Sequence, residues 1–330
     1  MHIAHPFVWI TLSVLACDGC TSCTGCQPQL PADVNNTDNA QPANEPDNTD
    51  DTGADTGDSG FEPPPCPIME IEPNDSYAEG QLVVLEKWIC GDFYKEFDLD
   101  NYGFVYPEED GWLKLWARGQ DIGSLSDLLI TVNQDLNTAV SFAQMDSTDP
   151  LMIIPVTNAD VIFATLQDQY GGYGENNFYE FLISQVKAPV EWNTEEQDDF
   201  GSNNSPAGAN PIEDGTRLFG RTATNTDTDW YKFSTQAGVS TTIELSITAF
   251  QEGSPLDAII YLYPEGAFSS SSTPYVAVRN NGTDVANNLD PILRYTTSQG
   301  GEWAVLIKNN ASGGSDFHWY VLDVSITEAE

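Results

Sequence analysis

The sequence predicts an all-β protein in which two tandem β-sandwich domains follow a disordered acidic tether. A repeated motif predicts two domains, since Asp-x-Asp-x-Tyr-x-Phe occurs at residues 98–104 and again at 227–233. Composition indicates β-structure, because Trp, Tyr and Phe make up 11% of the chain and helix-forming runs of Ala, Glu, Lys and Leu are few. In each copy the two Asp residues are predicted to close a turn, and the aromatics that follow are predicted to open a strand with one buried face.

The charge of the chain limits its partners. The 330 residues include 11 basic and 51 acidic ones, which gives a formal net charge of −40. Such a chain repels a phosphate backbone and attracts cations, so a nucleic acid partner is excluded.

The N-terminus is typical of an exported bacterial lipoprotein. Residues 7–16 form an apolar run with the length of a signal-peptide core, too short to cross a bilayer that needs about 20 residues. The segment Val14-Leu15-Ala16-Cys17 resembles a lipobox, which predicts a signal peptide over 1–16 and a lipid on Cys17. An ordinary secretory signal cut nearby is the alternative, because no Lys or Arg precedes Cys17.

Residues 17–65 are predicted to be a disordered acidic linker behind the lipidated cysteine. From 30 to 60 the chain is mainly Asp, Asn, Thr, Pro, Ala and Gly, so little apolar surface is available to offset the entropy of ordering. Its carboxylates repel one another and extend the segment. For Cys20, Cys23 and Cys26, local disulfides or a free thiol are expected and the pairing stays open.

The first domain is predicted over 66–190. Cys66 and Cys90 are the remaining cysteines, and in an oxidising compartment the simplest pairing joins them, although pairings with the N-terminal cysteines stay open. Short strands punctuated by Gly, Pro, Asn and Asp are expected, as in a sandwich. They are 88–93, 102–106, 112–117, 128–132, 151–156, 161–166 and 178–186.

The second domain is predicted over 191–330 and is expected to match the first strand for strand. Its strands are expected at 218–220, 230–234, 241–248, 258–263, 275–278, 303–308 and 319–327. The alignment sets Glu72-Pro73-Asn74-Asp75 against Glu196-Gln197-Asp198-Asp199, and Tyr179-x-Phe181-x-Ile183 against Tyr320-x-Leu322-x-Val324. A polar boundary between Lys187 and Glu195 is expected to make the domains separable.

The order of the motifs resembles the bacterial pre-peptidase C-terminal domain over about 70–186 and 195–327. The shared marks are an opening Glu-x-Asn-Asp, a strand ending in Gly, the repeated motif, an Asp before an apolar strand, and a closing Tyr-x-Leu-x-Val. The resemblance implies jelly-roll-like β-sandwiches of a secreted protein. The related collagen-binding domains of clostridial collagenase bind calcium through the opening motif. Because no peptidase domain occurs in this sequence, the resemblance implies a fold and a location rather than proteolysis.

The opening motif of the first domain predicts a calcium site, since hard cations favour carboxylate and carbonyl oxygens. The residues expected to form it are Glu70, Glu72, Asn74, Asp75, Asp98 and Asp100. A solvated acidic turn is the alternative. A weaker second site is expected from Glu196, Asp198, Asp199, Asp227 and Asp229. The alignment puts Thr194 where the first copy has Glu70, so the second copy is expected to have lost a carboxylate.

No catalytic residue is predicted. After signal removal the only histidine is His318, and a lone imidazole provides neither a zinc site nor a metalloprotease pair. The expected function is that of a non-catalytic protein, lipid-anchored in the bacterial cell envelope on the periplasmic face or the cell surface. Its two modules are expected to bind an unknown protein or polysaccharide, with calcium as a stabiliser. The alternatives are a secreted hydrolase with carboxylates on the loops of the second domain, and a purely structural spacer.

Overall fold

The computed structural model describes residues 66–106, 110–134, 137–141, 149–156, 161–198, 201–264, 274–279, 289–311 and 313–329. The predicted signal peptide, the lipidation site Cys17, the linker with its three further cysteines, and Asp199 lie outside the described residues.

The prediction of an all-β chain is confirmed. The described residues form twenty strands in two runs of ten. The first run is β1 (Ile68–Met69), β2 (Gln81–Leu82), β3 (Trp88–Asp92), β4 (Asp100–Val105), β5 (Gly111–Arg118), β6 (Leu128–Gln134), β7 (Asn137–Ser141), β8 (Leu151–Val156), β9 (Val161–Asp168) and β10 (Phe178–Val186). The second run is β11 (Thr194–Glu195), β12 (Asn210–Pro211), β13 (Arg217–Arg221), β14 (Asp229–Thr235), β15 (Thr241–Thr248), β16 (Ala258–Tyr263), β17 (Val276–Val278), β18 (Ile292–Thr297), β19 (Gly301–Asn309) and β20 (Trp319–Glu328).

Helical structure in the described ranges is limited to short 3-10 turns. These turns are Gln120–Ile122, Pro206–Gly208 and Phe250–Glu252. Within the part of the chain that the structure describes, no helix has the length and apolar character needed to span a membrane.

Each run of strands folds into two five-stranded sheets. The first run has the orders β1-β3-β10-β5-β8 and β2-β4-β9-β6-β7. The second run repeats them as β11-β13-β20-β15-β18 and β12-β14-β19-β16-β17. Neighbouring strands are antiparallel except at β1, β2, β11 and β12, which pair in parallel with the next strand inward. Adding ten to a strand number therefore gives its counterpart in the other copy.

Side-chain alternation separates the core from the surface in the long strands. In β5, Leu113, Leu115 and Ala117 are buried while the residues between them are half-buried. The inward residues of both sheets form one core in the first sandwich and another in the second. At the start of the first sandwich, the pairing of Cys66 with Cys90 is confirmed and fixes the chain to β3.

Some strand predictions need correction. Strands β1, β2, β7, β11, β12 and β18 were not predicted. By order along the chain, the predicted strand 275–278 corresponds to 151–156. In the structure, β17 pairs with β16 in the way that β7 pairs with β6, so the counterpart of β17 is β7. The counterpart of β8 is β18, since each lies antiparallel to the same strand of its copy. These strands are short or lie at sheet edges, where periodicity is weak.

The two sandwiches pack against each other through one end of the second. Ile153 in β8 donates its N–H to the carbonyl of Gly253 at 2.8 Å, and its carbonyl accepts the indole N–H of Trp319 at 2.7 Å. The rings of Trp319 and Trp112 meet edge-on with centroids 5.2 Å apart. Phe317, from the loop before β20, is buried within the core of the first sandwich. The sandwiches therefore share buried apolar surface.

Candidate metal centres

Separate segments of the first sandwich meet in an acidic cluster. The segment after β1 stays in register with β3, because the N–H of Glu70 donates to the carbonyl of Cys90 at 2.8 Å. Farther along, the carbonyl of Asn74 accepts the N–H of Asn101 at 3.2 Å, which ties the segment to β4. The opening motif and the repeated motif are therefore brought together, as the sequence predicted.

The two Asp residues of the repeated motif have different roles. Asp98 accepts the N–H groups of Tyr94 at 2.8 Å and Leu99 at 3.1 Å, so it closes the turn before β4. Asp100 begins β4 and is fully buried. Burial raises the pKa of Asp98, and it raises that of Asp100 much further, to about 10, with the nearby Glu70 adding to the effect.

The first cluster consists of Glu70, Glu72, Asn74, Asp98 and Asp100. Carboxylate oxygens of Glu70, Glu72 and Asp100 lie within 4.8 Å of one another. Asn74 donates its side-chain N–H to Glu70 at 2.9 Å, which leaves its Oδ1 buried without a hydrogen-bond partner among the described residues. Neither oxygen of Asp100 receives a hydrogen bond of normal geometry within the described ranges. Burial raises the pKa of Glu72 to about 7.

Asp75, the sixth predicted ligand, turns away to a cation. Its carboxylate forms an ion pair with Lys95, whose ammonium also lies 3.6 Å from Asp98. The hydrogen bond from Lys95 is the main reason that the pKa of Asp75 is lowered. Lys95 therefore neutralises the rim of the first cluster, while the buried oxygens of Asp100 and Asn74 have no positive partner among the described residues.

The alignment of the opening motifs is corrected by the strand register. In β1, Ile68 faces Ile89, and in β11, Thr194 faces Leu218. The N–H of Glu196 donates to Phe219 at 2.9 Å, in the same way that Glu70 bonds to β3. Glu196 is therefore the counterpart of Glu70, and the expectation that Thr194 had replaced that carboxylate is wrong.

Asn203 is the residue that sequence comparison missed. Its carbonyl accepts the N–H of Trp230 at 3.1 Å, as Asn74 does in the first copy, and its side-chain N–H lies 3.5 Å from Glu196. Asn74 comes two residues after Glu72, whereas Asn203 comes five after Asp198, so an ungapped alignment could not find it. The signal present was Asn203-Asn204-Ser205, which resembles Asn74-Asp75-Ser76.

The second cluster consists of Glu196, Asp198, Asn203, Asp227 and Asp229. Carboxylate oxygens of the three Asp residues lie within 4.8 Å of one another. Asp229 accepts the hydroxyl of Tyr320 at 2.6 Å, but its other oxygen and Oδ1 of Asn203 are buried without partners in the described part of the chain. Burial raises the pKa of Glu196 to about 8 and raises that of Asp229 as well.

A glycine at the last position but one of β3 and of β13 makes room for each cluster. A Cβ atom at Gly91 would collide with the hydroxyl of Tyr179 and the carboxylate of Glu70. A Cβ atom at Gly220 would meet Tyr320 and lie 2.9 Å from Glu196. The Gly in the predicted strand is therefore a requirement of the site.

The second cluster differs from the first at its rim. Thr224 and Asn204 occupy the positions of Lys95 and Asp75, as the equivalent turn hydrogen bonds show. No Lys or Arg forms an ion pair with a member of the second cluster among the described residues. The second cluster thus holds as many oxygen-bearing residues as the first, and within the described part of the chain no ammonium competes for them.

His318 lies outside both clusters, in the turn before β20. It is buried, its Nδ1 lies 2.9 Å from the hydroxyl of Ser315, and burial lowers its pKa to about 4. It lines a cleft of about 710 Å³ between the sandwiches together with Asp257 and Asn309.

Comparisons with known proteins concern the fold. The chain matches no protein-family model, and no curated protein matches it. A pre-peptidase C-terminal domain of collagenase from Bacillus anthracis is similar over 36% of this chain and 94% of that chain, with 19% identity and a TM-score of 0.27. The tandem CBM22-1 and CBM22-2 domains of Xyn10C from Paenibacillus barcinonensis are similar over 69% of this chain and 82% of that chain, with 12% identity and a TM-score of 0.21.

A third similar structure holds the M60 catalytic domain with the CBM51-1 and CBM51-2 domains of ZmpB from Clostridium perfringens. It covers 69% of this chain and 34% of that chain, with 8% identity and a TM-score of 0.21.

Proposed function

We propose that this chain is a non-catalytic binding protein whose two β-sandwich modules, of the pre-peptidase C-terminal type, each hold a calcium ion. The observation that carries the proposal is present in both copies. Each cluster buries oxygen atoms of an Asn and an Asp that have no hydrogen-bond partner among the described residues. Buried polar oxygens are normally paired, and a buried carboxylate without a partner is costly.

The donors present fit calcium. Carboxylates and an amide carbonyl are the oxygen ligands that calcium favours, and its coordination number is large and flexible. In the first copy the ligands would be Glu70, Glu72, Asn74, Asp98 and Asp100. In the second they would be Glu196, Asp198, Asn203, Asp227 and Asp229. The ion would supply positive charge to acidic groups that burial otherwise drives towards protonation.

Thermal unfolding of the full chain tests calcium binding. With calcium at a hundredfold excess over its dissociation constant, each site is expected to add about 2.7 kcal/mol to the stability of its sandwich. Both sandwiches are expected to respond, because the second cluster has not lost a carboxylate. Magnesium at the same ionic strength is the control, since it demands a stricter octahedral geometry. Equal shifts with both ions would indicate screening of an acidic turn instead.

Burial supports a binding role rather than carboxylate catalysis at the clusters. The carboxyl groups with the most strongly raised pKa values, Asp100 and Asp229, are fully buried and cannot touch a substrate. The alternative hydrolase was expected to use loops of the second domain, of which residues 265–273 and 280–288 lie outside the described ranges. Asp290, which follows one of these loops, caps the 3-10 turn by accepting the N–H groups of Phe250 and its neighbours at 2.8–3.1 Å.

We also propose that lipid on Cys17 anchors the protein in the bacterial envelope, where the modules meet a protein or polysaccharide ligand. The lipobox-like segment supports the anchor, and the Cys66–Cys90 disulfide agrees with an oxidising compartment. A Cys17→Ser variant is expected to lose membrane association and to accumulate unprocessed precursor. Unchanged processing and fractionation would show that the anchor is elsewhere.

A further inference from the structure

One end of the first sandwich exposes five large apolar side chains from three loops. Their exposed fractions are 48–74%. They are Tyr94, Phe97, Leu125, Tyr170 and Tyr173, and we call this surface the apolar end. Single exposed apolar residues are ordinary on a protein surface, but a group of them marks an interaction site.

The β3–β4 loop and the β5–β6 loop each touch the β9–β10 loop between them, so the side chains of all three loops share one surface. Gly171 has φ of 77°, and a Cβ atom there would lie 2.8 Å from the ring of Phe97, so this ring rests directly on the β9–β10 loop. The N–H of Leu125 donates to the carbonyl of Asn176 in the same loop at 2.8 Å. Tyr170 and Tyr173 belong to this central loop.

The second sandwich shows that the fold does not need these side chains. Equivalent positions follow from the shared turn hydrogen bonds, for instance Tyr170 and Ala311, which bond to Asp168 and Asn309 respectively. The equivalents are all small or short: Ala223, Thr226, Pro255, Ala311 and Gly314. Most of them line the cleft that faces β7 of the first sandwich. The end of the second sandwich that lies against the first therefore carries small side chains. The equivalent end of the first sandwich is exposed in the described structure and carries aromatic ones.

Charge indicates what covers the apolar end. The same loops expose Glu96 and Glu175, and neither forms an ion pair among the described residues. Among the described residues of these loops the one ammonium is that of Lys95, which pairs with Asp75 and also lies over the ring of Tyr94, with Nζ 4.6 Å from the centroid. With a net charge of −40, a second copy of this chain would be repelled, as would an anionic membrane. Tyrosine faces beside carboxylates instead favour a cation, because the ring face is electron-rich.

We propose that the apolar end binds a basic segment of a partner protein. Guanidinium or ammonium groups stack on the rings of Tyr170 and Tyr173, and the aliphatic stems of the same Arg or Lys side chains cover Phe97, Leu125 and Tyr94. Glu96 and Glu175 pair with the charges at the rim. The proposal rests on the proposed binding function and deepens it by naming a surface and a class of partner.

Peptide binding to the full chain tests the proposal. The probe is a fluorescent peptide of six Gly-Ser-Arg repeats, compared by anisotropy with Gly-Ser-Gln and Gly-Ser-Glu peptides of equal length. Only the Arg peptide is expected to bind, and less tightly as salt rises. A variant with Tyr94→Ala, Tyr170→Ala and Tyr173→Ala keeps the net charge and is expected to bind at least about tenfold more weakly. Tyr275→Ala, at a tyrosine 57% exposed on the second sandwich, is the matched control and should bind normally.

Several outcomes would overturn the proposal. Equal binding by the triple variant would reveal general attraction to an acidic chain. Tyrosine-dependent binding of the Gln peptide or of a neutral glycan would contradict the proposed class of partner. If the Arg peptide does not bind, the apolar end is not a site for basic segments. A screen of proteins and glycans against the native chain and the triple variant distinguishes failure of the proposed site from failure of the proposed function. If a ligand binds the native chain and the triple variant equally, the proposed binding function stands but its site lies elsewhere. If the native chain binds no ligand at all, the proposed function and the proposed site are both wrong.

Discussion

At the scale of residues, the stability of each cluster depends on a few buried oxygen atoms. Asp100 and Asp229 open equivalent strands, are fully buried, and have oxygens without a hydrogen-bond partner among the described residues. Burial raises both pKa values, so a proton and a calcium ion compete to neutralise each group. Amide replacements distinguish the two roles, because Asn keeps the shape and removes the charge.

Asp229→Asn is expected to abolish the calcium-dependent stabilisation of the second sandwich, about 2.7 kcal/mol at hundredfold excess, without destabilising the protein in chelator. The reason is that the variant has lost a ligand and also a carboxylate that was costly to bury. Asp323→Asn is the matched control, since this carboxylate lies in the same sandwich but pairs with Arg217. Thermal unfolding with calcium and with chelator measures both, and a calcium shift that survives Asp229→Asn would contradict the assignment.

The pH dependence of stability in chelator follows from the raised pKa of Asp100. An unfolded Asp titrates near pH 4, whereas burial holds the folded group at about 10. Between these values the folded state binds more protons, so its stability falls as pH rises. We expect lower stability at pH 9 than at pH 7 in chelator, a smaller difference with calcium, and a smaller one in Asp100→Asn. The interval lies above the range in which His318 titrates, whose lowered pKa acts in the opposite direction.

At the scale of elements, the sequence predicted the long inner strands because their periodicity is clear. Strands such as β5 and β10 alternate buried and half-buried residues over most of their length, so the pattern alone places their faces. Strands β1 and β11 have two residues each and contain no period to read. Their register sets which Glu enters each cluster, which explains why sequence comparison misaligned the opening motif of the second copy. Asn203 was hidden by extra loop residues before it.

Removing the disulfide tests how strand β1 supports the first cluster. Cys66 lies just before β1, and Glu70 follows that strand directly. Replacing both Cys66 and Cys90 by Ser is expected to cost about 3 kcal/mol by the chain-entropy model. It is also expected to weaken calcium binding at the first cluster and leave the second unchanged. Calcium titration calorimetry of the native chain and the variant measures this, and equal weakening at both sites would show a general loss of stability instead.

In the chain as a whole, the two sandwiches are in direct contact and share buried residues. The backbone of Ile153 bonds to Gly253 and to Trp319, and Phe317 completes the core of the first sandwich. Sequence reasoning expected separable domains because a polar segment follows Trp192. It could not foresee this contact, since the apolar residues that form it are spread over distant loops and strands and look like ordinary core positions.

Truncation and core substitution test this shared surface together. Residues 195–330 alone would expose Phe317 and Trp319, so we expect the fragment to unfold at a lower temperature than the same sandwich in the full chain, or to aggregate.

In the full chain, Phe317→Ala is expected to cost about 3–5 kcal/mol, as other buried Phe truncations do. Because this ring belongs to the second sandwich but fills the core of the first, the variant should destabilise the first sandwich. Leu306→Ala, in a smaller buried cluster of the second sandwich, is the control and should act on the second alone. Calorimetry with calcium present separates the two, since each sandwich contributes its own heat of unfolding once the contact is weakened. A fragment as stable as the full chain, with Phe317→Ala acting on the second sandwich only, would show instead that the copies are independent.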